Sequence, residues 1–112
     1  GAQLTATALV AEMRHHGGPA ANASIPTNGG NQDVVSMGLM AARQAHGQMD
    51  RLAAVLATLV IGLRQLEHLR RAGRAPGTAV DPPAWCPDYE PFDWDRATDA
   101  DIPRIAAALL AD

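Results

Sequence analysis

At 112 residues and 47% apolar content, the chain has room for one domain, and a small one. A net charge of −3, with every basic residue apart from histidine an arginine, excludes the broad basic face that nucleic-acid binding asks for. A lone cysteine, Cys86, excludes an internal disulfide and suits a reducing, cytoplasmic setting.

The few aromatic residues crowd into one stretch near the C-terminus, so a core has to come from Ala, Leu, Val, Ile and Met. Ala and Leu are strong helix formers, and the composition leans all-α. Residues 1–16 fit a helix on the steps Leu4, Ala8, Ala11 and His15. No capping residue precedes that pattern, so a truncated helix is expected, and His15 to Pro19 end it. Residues 17–32 are a Gly-, Pro- and Asn-rich loop, longer than most connections in compact domains.

Residues 33–74 carry the strongest signal. With Asp33 as N-cap, Val35, Gly38, Ala42, Ala45, Met49, Leu52, Leu56, Leu59, Leu63 and Leu66 repeat in steps of three and four. That is a sustained heptad stripe, and it predicts a helix of roughly 60 Å packed along another helix. Around Ala53, Val55, Ala57, Val60 and Ile61 the helix is apolar on nearly all sides, and such a helix is buried on all sides. The rest of the chain is too small to bury it. Met49, Leu52, Leu56, Leu59 and Leu63 are therefore the expected oligomer core. The apolar run from Leu52 to Leu63 falls short of the ~20 residues of a membrane span, and no signal peptide is visible; neither membrane nor nucleic acid is an expected partner. Gly73 and Pro76 close the helix.

Residues 75–112 form a Pro- and Asp-rich tail with Trp85, Tyr89, Phe92 and Trp94, expected to be extended and to dock by its aromatics. A short helix over 101–111, capped by Asp101, presents Ile102, Ile105, Ala106 and Leu109 on one face.

The chemistry-bearing residues are sparse. Neighbouring His15 and His16 diverge on a helix, His46 and His68 lie far along the chain, and no ligand pair has zinc spacing, so no metal site is expected. Cys86 sits among acids, which disfavour the thiolate. The amide-rich loop from Ser24 to Met37 is the best polar pocket wall. Asn31 and Gln32 offer paired amide hydrogen bonds, and a helix starting at Asp33 would add a positive dipole end suited to a carboxylate; plain capping of a long helix explains the same residues.

Ser24-Ile25-Pro26-Thr27 followed by Asn31-Gln32-Asp33-Val34-Val35-Ser36-Met37-Gly38 resembles a C-terminal motif of the aromatic amino acid ammonia-lyases and 2,3-aminomutases that use a methylidene-imidazolone (MIO) group. Ala2-Gln3-Leu4-Thr5-Ala6 and Ala8 to Glu12 are similar to the helix before the motif. Ala41-Ala42-Arg43, Val55-Leu56-Ala57, Gln65 and Leu69-Arg70 resemble the helix after it. The likeness covers residues 1–73 and leaves the tail unmatched. Asn31-Gln32-Asp33 looks like the phenylalanine/tyrosine branch; histidine lyases usually have glutamate where Gln32 stands. Phenylalanine lyases often have glutamate where Asn28 stands, so this departure leaves lyase against aminomutase open.

The resemblance implies an all-α, long-helix bundle fragment that assembles as a tetramer-like homo-oligomer or with a larger lyase chain. It implies a small aromatic amino acid ligand held by Asn31, Gln32 and Asn28. It also implies an MIO electrophile built from Ala-Ser-Gly and a loop tyrosine as base. This chain has no Ala-Ser-Gly, and its one tyrosine is Tyr89 in the tail. It carries no self-sufficient catalytic set and no cofactor of its own; MIO is expected from a partner chain. Three readings stay open: a segment or small subunit of a lyase or aminomutase, a standalone MIO-less relative that binds a small aromatic or amino acid ligand, and a structural oligomerisation module.

Overall fold

The computed structural model describes residues 1–111 as an elongated, all-α molecule with extents of 70 × 26 × 25 Å. Helix α1 spans Ala2–His16, α2 spans Gly38–Arg71 and α3 spans Asp101–Leu110. Short 3-10 turns at Ala20–Ala23 and Asn28–Gly30 shape the loop between α1 and α2.

The 34 residues of α2 form the spine and run about 51 Å at 1.5 Å per residue. Helix α1 lies antiparallel along its first half. Glu12 pairs with Arg51 at 2.7 Å, and Gln48 donates to the Met13 carbonyl at 3.2 Å. The Arg51 guanidinium, bonded to the Glu12 carboxylate, holds that acid below its usual range. No residue of α1 is buried, and Leu4 stands open to solvent.

Helix α3 and the tail return along the second half of α2. Ala53, Ala57, Val60 and Ile61 on α2 meet Tyr89, Ile105 and Ala106 to make the main core. The two alanines sit one turn apart and leave space at the helix surface, so α3 comes close and Ile105 is completely enclosed. Ile102 and Leu109 pack around the edge.

Helix α2 starts at Gly38, not at Asp33, and Asp33 caps nothing. The Ser24 hydroxyl accepts from the Val35 amide at 2.8 Å and lies 3.2 Å from the Val35 carbonyl. Both backbone groups of Val35 are thereby engaged by a side chain, and residues 34–37 stay outside the helix. The other end is a Schellman stop. Gly73 takes φ 68, its amide donates to the Arg70 carbonyl, and the Arg74 amide donates to the Leu69 carbonyl at 2.8 Å. By length and composition α2 is apolar enough to cross a membrane, which the Leu52–Leu63 run alone does not reveal. Its packing against α1 and α3 gives that apolar surface a protein-facing role on one side.

The tail is held by named contacts. Gln65 donates to the Phe92 carbonyl at 2.7 Å and accepts from the Phe92 amide at 3.2 Å. Arg96 lies over the rings of Tyr89 and Phe92, at 5.6 and 5.1 Å. Asp93 bonds His68 and Arg74, which hold its carboxyl below the usual range. Only part of the aromatic set docks: Tyr89 is buried and Phe92 half-buried, while Trp85 and Trp94 are 71% and 86% exposed. Asp101 is the first residue of α3 and not its cap. Burial works to raise its pKa, but Arg96 and Arg104 outweigh that and hold it low.

Because Ile105 is fully enclosed, Ile105→Ala is expected to cost roughly 2–5 kcal/mol and to lower the thermal midpoint clearly. Leu110→Ala, at a largely exposed position, is expected to change it little. Circular dichroism melts of the two variants make the comparison; equal midpoints would contradict this core.

Candidate functional site

The amide-rich loop is a closed unit. Thr27 and Gln32 form an isolated antiparallel bridge, with Thr27 N to Gln32 O at 3.0 Å and Gln32 N to Thr27 O at 3.3 Å. Between them Asn28, Gly29 and Gly30 turn through positive φ of 54, 62 and 86. Glycine takes that conformation freely, and asparagine is among the few other residues that tolerate it. The run Asn28-Gly29-Gly30 is thus required by the turn's geometry. The Ser24–Val35 clip ties the base of the loop to the segment that leads into α2.

This geometry brings Asn28, Asn31 and Gln32 onto one six-residue turn, each exposed. The Thr27 hydroxyl bonds the Gln32 side-chain oxygen at 3.1 Å. That leaves the Gln32 NH2 group pointing away from the bond as a free donor. The three side chains are neutral amides, so they can bind and orient a carboxylate or hydroxyl but cannot move a proton at neutral pH.

The positive end of the α2 dipole does not sit at these amides. It lies at Gly38, where the Gly38 amide donates to the Ser36 hydroxyl at 3.4 Å. Beside it is a shallow depression of about 660 Å3, lined by Ser36, Met37, Leu39, Met40, Arg43 and Gln44. Asn28, Asn31 and Gln32 do not line it. Arg43 is exposed there without an ion-pair partner among the described residues. Sequence reasoning gave no role to Ser36 and Arg43, whose signal is position: Ser36 stands just before the true helix start at Gly38, and Arg43 lies in the second turn.

Tyr89 is a core residue in this fold. Its ring is in the core, burial pushes its hydroxyl pKa up, and that hydroxyl lies 3.5 Å from an Arg96 nitrogen. Cys86 is half-buried, and its thiol faces the Pro87 carbonyl at 3.8 Å. The seam residues Met49, Leu52, Leu56, Leu59 and Leu63 are 39–55% exposed and form an apolar stripe beside the face that α3 covers.

The chain is helical, with an exposed apolar seam and a polar loop at the head of its longest helix. Comparison with known proteins gives it a family. The profile described as aromatic amino acid lyase matches residues 1–82, which include the whole loop and all of α2, and the chain belongs to that family. A tyrosine ammonia-lyase of Cereibacter sphaeroides is 43% identical over 98% of this chain and 22% of its own length. A tyrosine ammonia-lyase of Cupriavidus metallidurans is 48% identical over 67% of this chain and 15% of its own. An MIO-dependent tyrosine 2,3-aminomutase of Streptomyces globisporus is 40% identical over 97% of this chain and 20% of its own. The chain thus spans about a fifth of the length of these relatives. Two of them align across the tail as well, which extends the likeness beyond residue 73. No solved structure matches.

Ser24→Ala is expected to free the backbone of Val35. Losing a hydrogen bond worth about 1 kcal/mol corresponds to roughly fivefold faster amide exchange there. Exchange measured by NMR at Val35, unchanged from wild type, would contradict the clip.

Proposed function

We propose that this chain is the C-terminal segment, or small subunit, of an aromatic amino acid ammonia-lyase or 2,3-aminomutase. In this reading the loop amides of Asn28, Asn31 and Gln32 form one wall of a pocket for an aromatic amino acid. The seam of α2 contributes to a helical bundle with further copies or with a larger lyase chain. The observation that carries the reading is the family match across residues 1–82, which takes in both the closed amide loop and the uncovered seam.

The residues present do not fit formation of the MIO group. The 112 residues hold no Ala-Ser-Gly, and the only tyrosine is buried in the core. The electrophile and the base therefore come from outside this segment, and no chemical step is assigned to its side chains. What the segment supplies is binding: the free Gln32 amide donor and the neighbouring Asn31 and Asn28 orient a substrate that others transform. The names of the relatives favour tyrosine as the substrate class, and they include both ammonia release and 2,3-amino shift. Glutamine at position 32 agrees with that branch, since a neutral amide offers an imidazole no charge.

The test is a steady-state assay of the complete assembly, purified from its source, for ammonia release and β-tyrosine formation. Replacing Asn31 and Gln32 together by Ala is expected to raise KM for tyrosine about tenfold, the cost of about 1.4 kcal/mol of lost hydrogen bonding. An unchanged KM would contradict the pocket-wall role.

A further inference from the structure

The turn from Thr27 to Gln32 sets an asparagine directly before a glycine. Its geometry asks for positive φ at Asn28, Gly29 and Gly30, and asparagine and glycine are the residues that take it. The same pair carries a chemical liability. A backbone nitrogen can attack the side-chain carbonyl of an asparagine that precedes it, and glycine, with no Cβ, leaves that approach open.

Both reacting groups are free at this position. The Asn28 side chain is exposed and has no hydrogen-bond partner among the described residues. The amides of Gly30, Asn31 and Gln32 are bonded within the turn, at 3.1, 3.2 and 3.3 Å, whereas the Gly29 amide donates to nothing. A Cβ placed on Gly29 would meet no atom within 4 Å, so the space beside that nitrogen is open. The other asparagines are Asn22 and Asn31. Gln32 follows Asn31, and its nitrogen is held by the Thr27 carbonyl. Asn22 sits inside the Ala20–Ala23 turn, and the methyl of Ala23 crowds the same attack.

We propose that Asn28 is a site of spontaneous deamidation, which turns the neutral amide loop into an acidic one. The Gly29 nitrogen gives up its proton to water and bonds to the Asn28 side-chain carbon. The bond from that carbon to the side-chain nitrogen breaks, and the nitrogen leaves as ammonia with a proton from water. A second water opens the resulting five-membered imide at either carbonyl, leaving an aspartyl or an isoaspartyl residue. The aspartyl product puts a carboxylate where an amide stood. The isoaspartyl product adds a methylene to the main chain, inside a turn that Thr27 and Gln32 close at 3.0 and 3.3 Å, and that closure does not survive a longer chain. The modification stands on the turn alone, and its effect on binding rests on the pocket-wall reading above. There a new carboxylate repels the carboxylate of an amino acid.

The test begins with the full chain, incubated at mildly basic pH beside an Asn28→Ser variant. Trypsin releases residues 15–43 as one peptide, and fragmentation in the mass spectrometer locates any deamidation among the three asparagines. The expected result is aspartyl and isoaspartyl product at position 28, with Asn22 and Asn31 unmodified and no gain in the variant. An intact Asn28 after the incubation, or conversion at Asn22 or Asn31 ahead of it, would overturn the proposal. In the complete assembly, Asn28→Asp is expected to raise KM for tyrosine roughly tenfold. An unchanged KM would overturn the binding consequence and the wall role of Asn28, while deamidation at position 28 in the peptide map would still establish the modification.

Discussion

The structure depends on one imbalance: α2 carries more apolar surface than the rest of the chain can cover. A helix of 34 residues has room for neighbours on every side along about 51 Å. Here α1 takes part of the first half and α3 with the tail takes part of the second. The face of Ala53, Ala57, Val60 and Ile61 is satisfied within the chain, whereas the neighbouring face from Met49 to Leu63 is not. An exposed stripe of this length is the mark of an interaction surface.

The tail shows how the chain covers what it can. Its acidic residues do little for stability as isolated surface pairs, which contribute about 0–1 kcal/mol each. The geometry is fixed by groups that leave no choice: the Gln65 amide bonded both ways to the Phe92 backbone, and Arg96 laid over two rings. Around these the ion pairs of Asp81, Asp88 and Asp93 with α2 arginines and His68 set the path of the chain. The path leaves Trp85 facing outward beside the seam.

Much of this was legible in the residues. The three-and-four spacing from Gly38 to Leu66 and the stop at Gly73 mark a long helix, and the motif from Ser24 to Gly38 carries the family. What stayed hidden depends on contacts between distant positions. The helix start moves from Asp33 to Gly38 because Ser24, eleven residues upstream of Val35, engages the Val35 backbone. Which aromatics bury was equally unreadable: Tyr89 fits because Ala53 and Ala57 leave space for it and Ile105, while composition ranks Trp85 and Trp94 as more apolar. The amides of Asn28, Asn31 and Gln32 share a turn, but the dipole end expected beside them sits five residues further on, at Gly38.

The central claim is that the Met49–Leu63 seam is covered by another chain. Native mass spectrometry of the wild-type chain beside Leu56→Asp and Leu59→Asp tests it most directly. A carboxylate at either position would be buried without a partner, a cost of several kcal/mol. The account predicts a multimeric or larger-partner mass for the wild type and a monomer mass for both variants, with helical content retained. Identical masses for all three would contradict it.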